Sequence, residues 1–316
     1  LIICPLLTTE SKQYKLTEMG PVVYYLLIKP LSLLPLRVSY LLSDIVFFLM
    51  YYLFRYRRRV VLLNLRNSFP EKNPQELEAI ARKFFRHFCD LMLEFIRIFS
   101  ISEQELLKRC KIRNPELLER FYRDGKSIVI AAGHYNNWEM AAVAFDLQAA
   151  HQAVGIYKPL ANPYLDEKLR QSRAKFGLEM VPKNKTKSFF AENTHRLTAP
   201  LLATDQSPSN ITAVYWTQFL NQETAVLFGT EKYARKYNYP VVFGHVHKIR
   251  RGYYEMEFEL LEENPAETPH GAITEKHTRT LERDIQRAPQ YWLWTHKRWK
   301  RKRKENAKLS GSAGKN

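Results

Sequence analysis

The sequence predicts an α/β protein with a mixed, largely parallel central sheet flanked by helices, preceded by an N-terminal membrane-associated helical segment. Three observations lead to this fold. Short apolar runs rich in β-branched residues alternate with helical stretches after residue 127. Apolar segments fill most of residues 22–54. The chain has 316 residues, 45% of them hydrophobic, so it can bury a sizeable core and does not belong to the disordered class.

The first part of the chain differs in character from the remainder. Residues 1–18 are mixed in composition and have no clear period, so we expect a non-native or loosely ordered extension. Met19 is the expected natural start. Residues 19–59 are predicted to form membrane-associated helices, because two apolar segments separated by prolines occupy them.

The second apolar segment, at 38–54, has 17 residues, which is close to the lower limit of about 17 for a helix that spans a bilayer. Asp44 lies within it and argues against a full span. The basic run RYRRR at 55–59 follows directly and favours a cytoplasmic position for the rest of the chain. A spanning helix, a helix lying in the membrane and a buried helix of a soluble protein all stay open.

After the basic run, the helical spacing of apolar residues predicts two helices that are broken at 68–70 by a proline. The second begins at Asn73 or Pro74, and its aromatic stripe is interpreted as core packing. Ser102 and Glu105 have the spacing of a capping box, which predicts the start of another short helix.

The central stretch begins with the apolar run SIVIAA at 127–132, which is typical of a strand buried on both faces of a sheet. Gly133 permits a turn after this strand, and Asn136 or Asn137 is a good N-cap for the helix that follows. The predicted unit is therefore a strand, a tight turn and a helix.

His134 lies at the carboxyl end of that strand, where open α/β sheets bind their ligands, and Glu139 lies in the first turn of the helix. Glu139 can orient the imidazole and leave the other ring nitrogen free to take a proton from a substrate. The alternative is structural, because Asn136 and Glu139 also have the spacing of a capping box. Spacing alone leaves both interpretations open.

The alternation of strands and helices continues to residue 287. Strands are predicted at 153–157, 178–181, 200–204, 240–247 and 253–261, and helices at 163–176, 187–195, 225–237 and 268–287. Polar residues that follow the strand ends are candidate substrate-binding groups: Lys158, Arg170, Arg173, Asp205 and Gln206. Cations among them can grip the phosphates of an anionic substrate, although each is also compatible with a solvated surface.

The formal net charge of +17 implies an acidic partner, which can be an anionic lipid, a nucleic acid or an acidic protein. Residues 297–304, KRWKRKRK, could act as a nucleic-acid arm, but the apolar N-terminal third makes a membrane surface the better partner and no nucleic acid is expected. We expect 297–316 to be a basic, disordered tail.

Two patterns bear on metal binding and on disulfides. His245 and His247 share one face of a predicted strand, as a zinc pair would, but no third ligand has diagnostic spacing, so no metal is expected. Cys4, Cys89 and Cys110 lie far apart without a CxxC pattern, which fits a reducing compartment.

Several sequence blocks, taken in order, resemble the bacterial lipid A biosynthesis acyltransferases, the late lauroyl and myristoyl transferases of the wider lysophospholipid acyltransferase superfamily. The similarity extends from about Met19 to Lys300. The blocks are NLRNSFPE at 64–71, GHYNNWE at 133–139, IYKPL at 156–160, Arg173 with Gly177, DQSP at 205–208 and PQYWLWTHKRWK at 289–300.

The resemblance implies that His134 and Glu139 are the catalytic pair of an H-x4-D/E motif. It also implies direct acyl transfer from an acyl carrier protein thioester to a hydroxyl, without a metal, another cofactor or an acyl-enzyme. Lys158, Arg173 and Asp205 match blocks with substrate-binding roles. Many relatives have arginine at the position of Lys158, so a different mode of acceptor phosphate recognition stays open.

The family resemblance further implies a lipid A precursor as acceptor, acyl carrier protein and an anionic lipid as partners, and a domain at 60–296 on the cytoplasmic side of the inner membrane. An amino-acid lipid or another lysolipid would require the same chemistry, so the acceptor stays open.

Overall fold

The computed structural model describes residues 19–212 and 214–303. The extension expected at 1–18 lies outside the described residues. The helices are α1 (Met19–Leu33), α2 (Leu36–Leu53), α3 (Arg58–Ser68), α4 (Pro74–Arg97), α5 (Glu103–Arg109), α6 (Pro115–Arg123), α7 (Trp138–Phe145), α8 (Pro163–Ala174), α9 (Thr186–Glu192), α10 (Gly229–Tyr237) and α11 (Ala272–Arg287). The strands are β1 (Cys110–Ile112), β2 (Val129–Ala132), β3 (Gln152–Tyr157), β4 (Glu179–Pro182), β5 (Thr198–Ala203), β6 (Val214–Phe219), β7 (Gln222–Leu227), β8 (Val241–Arg250) and β9 (Tyr253–Glu262).

Seven strands form one sheet in the order β1-β9-β8-β2-β5-β3-β4. Neighbouring strands are parallel except β8 and β9, which form an antiparallel pair. The predicted mixed, largely parallel sheet is therefore confirmed. Strands β2 and β5 are neighbours and run in the same direction, with Ala132 opposite Ala203, so the loops that follow them meet at one edge of the sheet.

Both faces of the sheet are covered. Val129 and Ala131 of β2 pack into an apolar cluster that includes residues of α3, α4 and α11. Ile130 points to the opposite face and packs with residues of α5, α6 and α7. This arrangement explains why the strand at the centre of the sheet is apolar at every position rather than at alternate positions.

The helices α3 and α4 are separated at the proline-containing break, as predicted. Asn73 caps α4: its side chain accepts a hydrogen bond from the Glu76 N–H, and the Glu76 side chain accepts one from the Asn73 N–H. The aromatic stripe of α4 is core, since Phe84, Phe85 and Phe88 are all buried. Ser102 likewise caps α5 by accepting from the Glu105 N–H.

The prediction of a helix at 225–237 is wrong for its first residues, 225–227, which belong to strand β7. Strand β7 pairs with β6 in an antiparallel hairpin, and α10 begins only after it. Leu220 and Asn221 make the two-residue turn with φ values of 50° and 61°, a left-handed pair that suits the twist of a tight hairpin. Pairing with β6 therefore overrides the helical composition of this stretch.

The start predicted for the disordered tail, residue 297, is too early in the chain. Arg298 is buried and donates from Nη2 to the carbonyl oxygen of Ala225 over 2.7 Å. Trp299 donates from Nε1 to Thr224 Oγ1, also over 2.7 Å. Residues 297–303 therefore contain side chains anchored on strand β7, and the rest of the predicted tail lies outside the described residues.

Candidate active site

The loop between β2 and α7 carries His134 and is held at several points. A Cβ atom added to Gly133 would lie 2.5 Å from Leu281 Cδ1, so any other residue at this position would force the buried Leu281 side chain of α11 to shift. Asn136 adopts a left-handed conformation with φ of 51°, and its Nδ2 donates to the Val246 carbonyl over 2.7 Å. The position of the loop backbone is thus fixed from both sides.

Asn137 is the N-cap of α7, because its Oδ1 accepts a hydrogen bond from the Met140 N–H over 2.9 Å. The prediction of a cap at Asn136 or Asn137 is confirmed for the second of the two. The alternative capping box between Asn136 and Glu139 is wrong, since the cap is Asn137 and the Glu139 carboxylate binds Arg173 instead.

His134 is oriented by Asp205, which follows the neighbouring strand β5. The distance from His134 Nδ1 to Asp205 Oδ1 is 2.6 Å, and the backbone N–H of His134 donates to Oδ2 over 2.8 Å. Trp292 Nε1 donates to the same Oδ2 over 2.8 Å. Burial by itself would raise the pKa of Asp205, but the charge and hydrogen bonds of His134, with the Trp292 bond, hold that pKa well below its ordinary value.

An ionised Asp205 accepts hydrogen bonds only, so Nδ1 of His134 carries a proton and Nε2 of the neutral ring has the free lone pair. Gln206 Nε2 lies 3.0 Å from His134 Nε2 and can donate to it. The Trp138 ring packs edge-on against the imidazole, with 5.0 Å between centroids. The His134 side chain is 16% exposed, so Nε2 is the basic atom of a partly open site.

Glu139 does not orient His134, and this part of the prediction is wrong. Both carboxylate oxygens bind the guanidinium of Arg173 on α8, at 3.0 Å from Nε and 2.6 Å from Nη2. Burial would raise the pKa of Glu139, but positive charges nearby, first of all Arg173 with its hydrogen bonds and also His134, keep that pKa below its ordinary value. Arg173 therefore binds the Glu139 carboxylate. Asp205 binds His134 Nδ1 and has the orienting role that was expected of Glu139.

Glu94 of α4 lies behind the loop and is almost completely buried. Its Oε2 accepts from Asn137 Nδ2 and from the Tyr254 hydroxyl, each over 2.7 Å, and its Oε1 accepts from the Tyr40 hydroxyl over 2.8 Å. Burial raises the pKa of Glu94. This residue connects α2, α4 and β9 to the residue that caps α7.

Two of the predicted substrate-binding residues are exposed and are not among the contacts of His134 described above. Arg170 is on the exposed side of α8, where it binds Glu167 at 2.8 Å. Lys158 is exposed on the loop after β3. The structure therefore brings Asp205 and Gln206 into direct contact with His134, and joins Arg173 to Glu139, but it does not bring Lys158 or Arg170 into the cluster.

The C-terminal segment supplies residues that sequence reasoning did not single out. Besides the Trp292 bond to Asp205, His296 Nε2 accepts a hydrogen bond from the backbone N–H of Ser207 over 2.9 Å. Burial lowers the pKa of His296 to about 4. The signal that could have indicated Trp292 and His296 was their position in the tryptophan-rich block at 289–300. The signal for Glu94 was the presence of an acidic residue within the apolar stripe of α4.

His245 and His247 share one face of β8, as predicted, with 5.8 Å between their ring centroids. Both ring nitrogens of His245 face carboxylates: Nδ1 is 2.6 Å from Asp284 Oδ2 and Nε2 is 3.2 Å from Glu259 Oε2. In residues 19–212 and 214–303, no group of three or more histidine, cysteine, aspartate or glutamate residues is arranged to hold a metal ion.

Comparison with known proteins supports the family resemblance that the sequence blocks indicated. The family model of the bacterial lipid A biosynthesis acyltransferases matches residues 8–301. A lipid A biosynthesis acyltransferase of Haemophilus influenzae is 22% identical over 246 residues, which cover 77% of this chain and 78% of that protein. The region matched by the family model contains the loop with His134, the Asp205 loop and the C-terminal block that contacts them.

Proposed function

Because this chain belongs to the bacterial lipid A biosynthesis acyltransferase family and therefore has an acyltransferase role, we propose that it transfers a fatty acyl chain from an acyl carrier protein thioester to a hydroxyl of a lipid A precursor. The reaction takes place at the cytoplasmic face of the inner membrane. The observation that carries the proposal is the hydrogen bond between Asp205 and His134 Nδ1, which leaves Nε2 as a base.

In the proposed reaction, the acceptor hydroxyl replaces Gln206 as the hydrogen-bond partner of His134 Nε2. His134 takes the hydroxyl proton while the oxygen attacks the thioester carbonyl and forms the new C–O bond. The tetrahedral intermediate then collapses, the C–S bond breaks, and the leaving thiolate takes the proton from Nε2. Asp205 stays ionised and stabilises the imidazolium between these two proton transfers.

The oxyanion of the intermediate needs a donor. The N-terminus of α7 begins four residues after His134 and has the favourable end of the helix dipole, so it is a suitable source of backbone N–H groups. General base catalysis supplies about 10²- to 10⁴-fold of the rate. Positioning of donor and acceptor supplies much of the remainder.

Arg173 and Glu139 have a supporting role in this mechanism. Their ion pair joins α8 to the first turn of α7, next to the histidine loop. Lys158 is the candidate contact for an acceptor phosphate, since it is exposed at the carboxyl end of β3. An amino-acid lipid or another lysolipid as acceptor would use the same base and the same proton transfers.

Mass spectrometry of lipids tests the reaction and the acceptor together. Deleting the gene is expected to remove one acyl group from lipid A, and the wild-type chain restores it. His134→Ala and Asp205→Asn fail to restore it, whereas the exposed-site control Arg170→Gln restores it. Full restoration by His134→Ala at normal protein level contradicts the mechanism, and loss of an acyl group from another lipid class contradicts the proposed acceptor.

The donor is tested with purified protein. Acyl carrier protein thioester is expected to support transfer, and the equivalent acyl-coenzyme A is expected to be a poorer donor. The net charge of +17 attracts both anionic donors, but an acidic carrier protein adds contacts over a whole protein surface that coenzyme A lacks. Equal rates with the two donors would contradict a requirement for the carrier protein.

A further inference from the structure

Helix α2 has an exposed apolar stripe. Within residues 19–212 and 214–303, it is the one helix that is long and apolar enough to cross a membrane by length and composition. Its outward residues recur every three or four positions, so they lie on one face of the helix: Val38, Leu41, Ile45, Phe48 and Tyr52. Leu41 is 63% exposed and Phe48 58%, which is unusual for large apolar side chains in contact with water.

The rest of α2 is fixed to the protein by apolar packing of Phe47, Met50 and Tyr51 and by polar contacts in the middle of the helix. Ser43 donates to Asp90 Oδ1 on α4 over 2.7 Å. Asp44 binds Arg251, which lies in the turn between β8 and β9, with 2.8 Å from Oδ1 to Nη2. Arg251 also binds Asp90 at 2.6 Å. The helix is therefore attached through charged groups along its middle to the central sheet.

This attachment favours a helix that lies parallel to the membrane over a helix that spans it. A helix of 18 residues is about 27 Å long, which almost matches the hydrocarbon core of about 30 Å. If α2 crossed the bilayer, however, the ion-paired Asp44 and Arg251 would lie near its centre and would take α4 and the β8–β9 turn with them. Ionised groups are strongly disfavoured there.

The rim of the apolar surface is basic. Arg37 is exposed at the start of α2, and Arg55 and Arg59 are exposed just after its end. Tyr52 and Tyr56 lie near the same end and are the aromatic type that prefers the membrane interface. Cations around an apolar stripe complement the negative charge of anionic headgroups.

Helix α1 also has exposed apolar side chains, and it contacts the start of α8, just after the loop that follows β3. Val22, Tyr25 and Leu26 are exposed on α1. The inward Tyr24 packs against Tyr164 of α8, with 6.1 Å between ring centroids, close to the loop that carries Lys158.

We propose that α1 and α2 bind the surface of an anionic bilayer as in-plane helices, with their apolar stripes in the headgroup region and without crossing the hydrocarbon core. The loop with Lys158 then lies at the level of the lipid headgroups, where a membrane-held acceptor would present its phosphate. Binding to lipid can be measured without donor or acceptor, so this proposal stands or falls separately from the acyl-transfer reaction.

The first test measures binding of the full chain to vesicles of phosphatidylglycerol and phosphatidylethanolamine. Ile45→Glu combined with Phe48→Glu is expected to weaken binding by about tenfold or more, because both side chains leave the lipid. Arg55→Glu combined with Arg59→Glu weakens binding to the anionic vesicles but has little effect with phosphatidylcholine alone. Tyr122→Glu, an exposed site on α6, is the matched control and binds like wild type.

The second test determines the topology of α2. Arg37→Cys and Arg55→Cys are made separately in a Cys4→Ser chain, where the remaining Cys89 and Cys110 are buried. The protein is added to sealed vesicles and treated with an impermeant thiol reagent. An in-plane helix is labelled at both positions from the outside.

Labelling at one end of α2 and protection of the other would overturn the in-plane arrangement. Wild-type binding by the Ile45→Glu, Phe48→Glu variant would overturn the assignment of the stripe to lipid. The assignment is also overturned if the wild-type chain does not bind vesicles and instead self-associates or captures a protein through this face.

Discussion

Asp205 decides which nitrogen of His134 is available for chemistry. Its carboxylate is buried, accepts from both the ring and the backbone of the histidine, and receives a third hydrogen bond from Trp292. A group with this many donors stays ionised and cannot rotate freely. The imidazole is therefore fixed in one tautomer and one orientation before any substrate binds.

We predict that Asp205→Asn lowers kcat by about 10²- to 10⁴-fold, because an amide can donate to Nδ1 and favour the wrong tautomer. The measurement is kcat and KM over a range of pH values, with circular dichroism to show that the variant is folded. Trp292→Phe removes one of the donors to Asp205 and is expected to have a smaller effect. Unchanged kcat in Asp205→Asn would show that the aspartate does not act through His134.

The ion pair between Arg173 and Glu139 gives a second prediction. Arg173→Met leaves a buried carboxylate without its partner and is expected to lower the free energy of unfolding by about 3–5 kcal/mol. Arg173→Met combined with Glu139→Gln is expected to recover part of this loss. The measurement is urea unfolding at neutral pH.

The effect of Arg173→Met has a defined pH dependence. The pKa of Glu139 is below its ordinary value in the folded protein, so the pair stabilises fully above the unfolded pKa of about 4.3 and loses its effect as the pH falls through the lower folded pKa. A double variant as unstable as the single one would show that charge burial is not the reason.

The sequence indicated that His134 lies at the end of a strand, but it could not indicate the residue that orients it. His134 and Asp205 are 71 positions apart and meet only because β2 and β5 are neighbours in the sheet. Glu139 was the nearest acid in sequence and had plausible spacing. Arg173, from a helix 34 positions away, determined where its carboxylate points.

At the scale of elements, the junction between β2 and α11 restricts the histidine loop. The loop can pass beneath Leu281 only because residue 133 has no side chain. Gly133 was expected to permit the turn through its backbone freedom. The structure shows a different reason, since the constraint is the close approach of the Leu281 side chain on α11.

We predict that Gly133→Ala destabilises the protein by about 1–3 kcal/mol through overpacking against Leu281. Leu281→Ala is destabilising by itself because it leaves a cavity, typically by about 2–5 kcal/mol. In the double variant, the new methyl group occupies part of that cavity. The loss in free energy of unfolding is therefore expected to be smaller than the sum of the two single losses. A double-mutant cycle by urea unfolding measures this difference, and strict additivity would contradict the steric explanation.

Elements with a clear local signal were predictable, whereas the strands β1 and β7, which lack such a signal, were not. The caps at Asn73, Ser102 and Asn137 are set by neighbouring backbone groups, so the sequence located them to within one residue. The strands β1 and β7 are stabilised by pairing with β9 and β6. β1 has three residues, too few for any period to be recognised.

At the scale of the whole molecule, buried histidines make the fold sensitive to acid. His277 on α11 is 2% exposed, and burial lowers its pKa to about 4. An unfolded histidine binds a proton below about pH 6.5. Between these two values the unfolded state binds more protons than the folded state, so the free energy of unfolding decreases as the pH falls.

We predict that His277 accounts for a loss of roughly 3 kcal/mol between pH 6.5 and pH 4. His277→Gln is expected to remove this part of the pH dependence and to flatten the curve. The measurement is denaturant unfolding at a series of pH values. His195→Gln, at an exposed position, is the matched control, and an identical slope in wild type and His277→Gln would contradict the prediction.

The tight backbone of the histidine loop has a consequence for mutational scanning. Gly133, Asn136 and Asn137 are restricted by packing, by a left-handed backbone and by the bond to Glu94, so substitutions there should reduce protein abundance. Substitutions at His134 should reduce turnover while abundance is maintained. A scan that scores growth alone would assign all four positions to catalysis, and a parallel measurement of abundance would separate the reactive residue from the residues that hold it.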